Sequence, residues 1–150
     1  MEEVISLFIL IGGYIVGLGA VTVIDTHGFL GRNSPYWTRA TITAHKVTKP
    51  LIWLGTILAL IGATLFYNLT GITHVAYIHW GIFALLILNG CFLSFWISPK
   101  LLKQERDGRA EELLPTSMQI SITLSFIISF FGWWGTLFLF LNHLVSISSL

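Results

Sequence analysis

The stretch from Ile72 to Pro99, ITHVAYIHWGIFALLILNGCFLSFWISP, decides the fold because it contains no Asp, Glu, Lys or Arg. An α-helix rises about 1.5 Å per residue, so roughly 20 apolar residues cross a hydrocarbon layer of about 30 Å. Residues 75–97 meet that length, with Trp80 and Trp96 near the two ends, where aromatic side chains favour the membrane interface. The stretch therefore predicts a transmembrane helix.

The composition also indicates a membrane protein. The chain has 150 residues, of which 55% are hydrophobic and 10% charged, whereas soluble domains carry about 25% charged residues. The net charge of +1 gives no reason to expect a nucleic-acid partner. A single cysteine, Cys91, excludes an internal disulfide and a multi-cysteine metal cluster. We expect the lipid bilayer to be the main partner.

Four apolar stretches predict four transmembrane helices, at about residues 4–24, 51–67, 75–97 and 118–145. All 8 Lys and Arg residues lie in the connections 25–50 and 98–117. The positive-inside rule places both connections in the cytoplasm and both termini outside. The predicted fold is all-α: one domain, residues 1–150, forming an antiparallel four-helix transmembrane bundle.

The first connection carries turn signals and a helix start. Arg32 and Asn33 belong to the turn, and Ser34 followed by Pro35 is typical of a helix N-terminus. We expect a short helix from there to Thr48, ending before Pro50 and lying at the headgroup level. Its cations Arg39, Lys46 and Lys49 would face anionic lipid, or alternatively bind a substrate or partner.

Small residues recur at intervals of four on two of the predicted helices. Gly13 and Gly17 share one face, and Gly55, Ala59 and Ala63 share another. Such faces let helix backbones approach closely in lipid. They could pack the bundle, make room for a flat ligand, or join copies into a homo-oligomer or larger membrane complex.

The last predicted span has one small and polar face, which we expect to point into the bundle. Its residues are Ser121, Ser125, Ser129, Gly132, Thr136 and His143. In the third span, Asn89 lies near the membrane centre, where an unpaired amide is costly. A serine of the last helix is the simplest partner for it.

The sharpest candidate site is His79 with His143. Both are predicted near the outer side, on helices that can face each other. Two imidazoles at one depth could ligate a haem iron, as in haem b proteins, or a divalent metal. Gly90, Ser129 and Gly132 would leave space for a macrocycle. Alternatively, both histidines are interfacial and bond to water or backbone.

A second candidate is a cytoplasmic-side metal site formed by His27 and His45 with support from Asp25. Loop histidines are also commonly solvated, which is the alternative interpretation.

Two local motifs resemble those of a known group of four-helix membrane proteins. Tyr77-Ile78-His79 is similar to its aromatic-aliphatic-His motif, and Leu114-Pro115-Thr116 to its Val-Pro-Thr motif. The group is the bacterial protoporphyrinogen oxidase and its relatives in the copper-resistance D-like superfamily. The resemblance implies the four-helix scaffold, the bacterial inner membrane and a membrane redox or haem-related setting.

The chain departs from that oxidase at two positions tied to haem and activity. The span 4–24 contains no histidine, and Gly81 stands where the oxidase has a lysine. We therefore do not expect the oxidase activity to carry over. Two function classes stay open: a haem or metal protein, and a non-catalytic scaffold or accessory subunit. Whether the protein is an enzyme stays open with them.

Overall fold

The structure is a computed structural model that describes residues 1–31 and 34–148. Within those ranges, 4 helical segments are long and apolar enough to cross a membrane, as a multi-pass membrane protein requires. The helices are α1 (Glu2–Gly31), α2 (Pro35–Thr70), α3 (His74–Phe92), α4 (Ser98–Arg106) and α5 (Thr116–Ser148), with a π-helical turn, Leu93–Ile97, joining α3 to α4. The predicted all-α class is confirmed for these residues, whereas the turn signal at Arg32 and Asn33 lies outside them.

Helices α1 and α2 continue well beyond the predicted spans, with 30 and 36 residues. Asp25 and His27 therefore lie in α1 and not in a loop. The segment expected at the headgroup level is the first half of α2, which passes through Pro50 without ending. The predicted break was wrong because Pro50 removes only one backbone donor, whereas ending a helix in lipid leaves many polar groups unsatisfied.

Both ends of α2 are explained by the residues found there. Ser34 has an extended backbone and Pro35 occupies the first turn, as predicted. At the other end Gly71 has a φ of 105°, which favours glycine, and its N–H donates to the Tyr67 carbonyl at 3.0 Å. Because α3 begins already at His74, the short connection between the second and third spans is confirmed.

The third crossing also continues past its predicted end. Ser98-Pro99 has the same sequence pattern as the helix start at Ser34-Pro35, yet Ser98 is helical and α4 follows the π turn directly. In a regular α-helix the ring of Pro99 would clash with the carbonyl four residues earlier. The wider π turn immediately before Pro99 changes that geometry and lets the helix continue.

Helices α1 and α2 touch along their small residues. A Cβ added to Gly13 would lie 2.7 Å from Ala59 Cα, and one added to Gly62 would lie 2.6 Å from Leu10 Cα. The packing interpretation of these faces is confirmed. Because Ala59 and Ala63 are fully buried within the chain, an oligomer through these faces has no support from the structure.

The polar face of α5 points into the bundle at most of its predicted positions. Ser125, Ser129, Thr136 and His143 are buried, while Ser121 is only half-buried. Ser125 Oγ donates to Asn89 Oδ1 at 2.8 Å, and Asn89 Nδ2 donates to the Ser125 carbonyl at 3.1 Å. The expected serine partner of the membrane amide is confirmed.

The two charged connections meet at one end of the bundle, which we call the charged end. Arg39 pairs with Glu111 and Lys46 with Glu105, both at 2.8 Å. These cations therefore contact carboxylates of the same chain while staying partly exposed, and their contact with anionic lipid stays a prediction. Exposed pairs of this kind contribute only about 0 to 1 kcal/mol each.

Candidate functional sites

The first candidate site is a tyrosine–histidine cluster formed by Tyr14, Tyr67, His79 and His143. His79 is fully buried. Its Nε2 lies 2.7 Å from the Tyr14 hydroxyl, and its Nδ1 lies 2.9 Å from the Tyr67 hydroxyl. A neutral imidazole has one N–H, so one tyrosine donates a hydrogen bond to the ring and the other accepts one. Both ring nitrogens of His79 are thereby satisfied.

His143 lies on the other side of Tyr67. Its ring centroid is 5.5 Å from that of Tyr67, compared with 5.7 Å for His79. The structure thus brings the two predicted histidines together around one tyrosine. Unlike His79, buried His143 has an Nε2 atom without a hydrogen-bond partner among the described residues.

The two histidines differ in how well they suit a haem iron or a metal ion. His143 fits, because its free Nε2 is the atom an axial ligand uses. His79 does not fit as it stands, because its Nε2 would first have to release Tyr14. The Leu86 side chain also fills the space beside Gly132, only 2.6 Å from an added Cβ. Haem or metal binding at His79 and His143 stays a prediction.

Sequence reasoning missed the two tyrosines, although α2 carries a signal for one. Ala59, Ala63 and Tyr67 follow at intervals of four on the buried face, so Tyr67 had to point into the bundle. Tyr14 is adjacent to Gly13, which touches α2. A buried phenol needs a hydrogen-bond partner, and His79 is the one available to both.

The second candidate site is a cavity of about 100 Å³ near the charged end, called here the charged-end cavity. All four membrane-crossing segments contribute to its walls. Its polar lining residues include Asp25, His45, Lys49, Trp53, Ser94 and Ser125, and most of the remaining lining is apolar. At about 15 Å³ for one water, this space is large enough for several waters or part of a ligand.

Two residues that line this cavity each have a buried side-chain atom without a hydrogen-bond partner among the described residues: Asp25 Oδ2 and His45 Nε2. By contrast, Lys49 Nζ donates to the Ser94 carbonyl at 3.2 Å, and Trp53 Nε1 donates to Ser94 Oγ at 3.0 Å. Buried polar groups in proteins are nearly always paired, so these two atoms call for an explanation.

His27 does not join Asp25 and His45. Its Nδ1 donates to the Val23 carbonyl at 2.8 Å, and its ring packs edge-on against Trp37, with centroids 5.4 Å apart. Over residues 1–31 and 34–148, no group of 3 or more His, Cys, Asp or Glu side chains is placed to hold a metal ion. The expected three-residue metal site is therefore not assembled there.

The helices are irregular beside the charged-end cavity. Pro50 follows Lys49 in α2, and the π turn Leu93–Ile97 supplies Leu93, Ser94 and Ile97 to the lining. Single π turns in α-helices frequently occur at functional sites. This irregularity is a second reason, besides the unpaired atoms, to regard the cavity as a binding site.

No known protein family, curated protein or solved structure matches the chain. The resemblance to the copper-resistance D-like superfamily accordingly stays a prediction.

Proposed function

We propose that this is a four-pass membrane protein, antiparallel with both termini outside, whose charged-end cavity binds an amphiphilic molecule. The observation that carries the proposal is a mostly apolar cavity lined by two residues whose side chains each have an unpaired buried atom, Asp25 Oδ2 and His45 Nε2. Each unpaired buried atom costs about 1 to 3 kcal/mol. A ligand that bonds to both atoms with a polar head, and fills the apolar part with its tail, removes that cost.

The depth of the cavity suits such a ligand. Lys46 and its partner Glu105 mark the charged surface of the bundle. Lys49 follows Lys46 by three residues, which is about 4.5 Å farther along the helix. The polar groups of the cavity therefore lie just below the charged surface, where the head of an amphiphile meets its chain.

A pair of glycine variants on α3 tests the proposal. Gly90 lines the cavity, and a Cβ there would lie 3.5 Å from the Trp53 ring, in ordinary contact. A Cβ at Gly90 is therefore accommodated, and we expect the larger side chain of Gly90→Leu to occupy the cavity. The matched control is Gly81→Leu, because a Cβ at Gly81 has no atom within 4 Å.

The measurement is the amount of bound lipid or lipid-like molecule per protein, by native mass spectrometry after purification in mild detergent. We expect the unchanged protein and Gly81→Leu to retain such a molecule, and Gly90→Leu to lose most of it. Equal retention in all three proteins would show that the bound molecules lie elsewhere and would remove the proposal.

A second candidate function is binding of haem or a metal at His79 and His143, in membrane redox or haem-related work. The observation that favours it is the buried, unpartnered Nε2 of His143 beside Tyr67. Bound haem would supply one-electron chemistry, with His143 as an axial ligand and His79 available only after it releases Tyr14.

A further inference from the structure

The ionisable groups of the charged-end cavity lie on two helices. Asp25 supplies a carboxylate from α1, whereas His45 and Lys49 supply nitrogen atoms from α2. His45 and Lys49 are four residues apart, so they lie on one face of α2, one turn from each other. The cavity therefore presents a carboxyl group on one wall and an ammonium with an imidazole on another.

The hydrogen-bonding capacity of these groups limits which ligand headgroups can bind in the cavity. Asp25 Oδ2 has no partner among the described residues, and a carboxylate needs an N–H or O–H donor. The bond from Lys49 to the Ser94 carbonyl uses one of the three N–H donors of its ammonium. The best complement is a head with a donor cation at one end and anionic oxygens at the other.

We infer that the ligand is a phospholipid with a phosphoethanolamine head, its primary ammonium at Asp25 and its phosphate at Lys49 and His45. The inference rests on the proposed function, and it names the ligand class of that same cavity. A phosphocholine head has no N–H for Asp25. A purely anionic head, such as phosphoglycerol, places no positive charge beside the carboxylate.

The test compares three lipids with identical acyl chains, added to delipidated full-length protein and followed by native mass spectrometry. Phosphatidylethanolamine should bind about tenfold or more tightly than phosphatidylcholine or phosphatidylglycerol, because it alone makes charge-assisted bonds at both walls. Asp25→Asn should reduce this preference, and Lys49→Met should weaken phosphatidylethanolamine binding. His27→Ala should change neither the lipid preference nor the affinity for phosphatidylethanolamine, because His27 is not part of the cavity lining.

The outcomes separate this inference from the proposed function. Equal binding of the three lipids, all lost in Gly90→Leu, would overturn the headgroup assignment and leave the amphiphile site standing. Tightest binding of phosphatidylglycerol would overturn the assignment in the same way. If none of the three lipids binds, both the headgroup assignment and the proposed amphiphile site are refuted. Soluble glycerophosphoethanolamine should compete only weakly; if it binds as tightly as the lipid, the ligand is a free headgroup and the lipid assignment fails.

Discussion

Replacing Gly13 by alanine tests the contact that joins α1 to α2. The added Cβ would lie 2.7 Å from Ala59 Cα and 2.9 Å from Ala59 Cβ. Non-bonded carbon atoms prefer about 3.5 to 4.0 Å. The first obstructing atoms belong to a helix backbone and cannot rotate away, so the two helices must separate by about 1 Å.

The expected loss of stability in Gly13→Ala follows from that helix separation. Overpacking usually costs about 1 to 3 kcal/mol, and a contact against backbone belongs at the upper end of this range. The matched control is Gly12→Ala, because a Cβ at Gly12 meets no atom within 4 Å. Alanine favours helix over glycine by up to about 1 kcal/mol, so the control should be neutral or slightly stabilising.

Thermal unfolding in a single detergent, followed by the fraction that stays monodisperse after heating, measures the difference. After subtracting the up to about 1 kcal/mol that alanine gains in helix propensity, the net cost is about 2 kcal/mol, which for a protein of this size corresponds to a midpoint lower by about 4 to 8 °C. We expect this drop for Gly13→Ala and none for Gly12→Ala. If the two variants melt together, α1 and α2 do not touch at Gly13 and the packing described here is incorrect.

Three further predictions concern other parts of the chain. A topology reporter fused after Leu150 should report the outer side and one inserted near Gly108 the cytoplasm; the opposite result would reverse the predicted orientation. If haem binds the tyrosine–histidine cluster, a Soret band should weaken in His79→Ala and His143→Ala but persist in His27→Ala and His45→Ala, and a colourless protein expressed with ample haem would remove this candidate. Ser125→Ala should destabilise the protein by about 1 to 3 kcal/mol, since Asn89 Oδ1 loses its donor. Ser121→Ala, at a half-buried position, should cost much less, and equal losses would contradict the role of the Asn89 pair.

The helices and one interior contact could be predicted because they follow from the cost of polar groups in lipid. A chain segment without charged residues has to form a helix there. An amide at the position of Asn89 has to find a partner, and α5 offered serines on one face. Ser125 fulfils that requirement. Close helix packing was one of the interpretations of the small residues, and the structure pairs the faces of α1 and α2.

The charged-end cavity could not be predicted, because residues that commonly end helices in soluble proteins do not end them here. Asp25 and Pro50 both indicated a helix end, yet α1 and α2 continue through them. As a result Asp25 was assigned to a loop, although its Oδ2 is buried beside the cavity. The tyrosines of the first site could not be predicted for a different reason: a metal-ligand pattern points to histidines, whereas a tyrosine here is a neutral hydrogen-bond partner.

The close backbone contact between α1 and α2 also explains why the cavity lies at the charged end. In the middle of the bundle, Gly13 meets Ala59 and Gly55 meets Gly17, so the backbones touch and no ligand fits between them. From Gly55 toward the charged end, the residues of α2 become larger. On α1 at that end, a Cβ added to Gly28 would first meet Ile122 of α5, at 3.8 Å, and no atom of α2 within 4 Å. Asp25 of α1 and Lys49 of α2 line the cavity there. The charged-end cavity thus lies outside the stretch where the backbones of α1 and α2 touch, and charged residues line it.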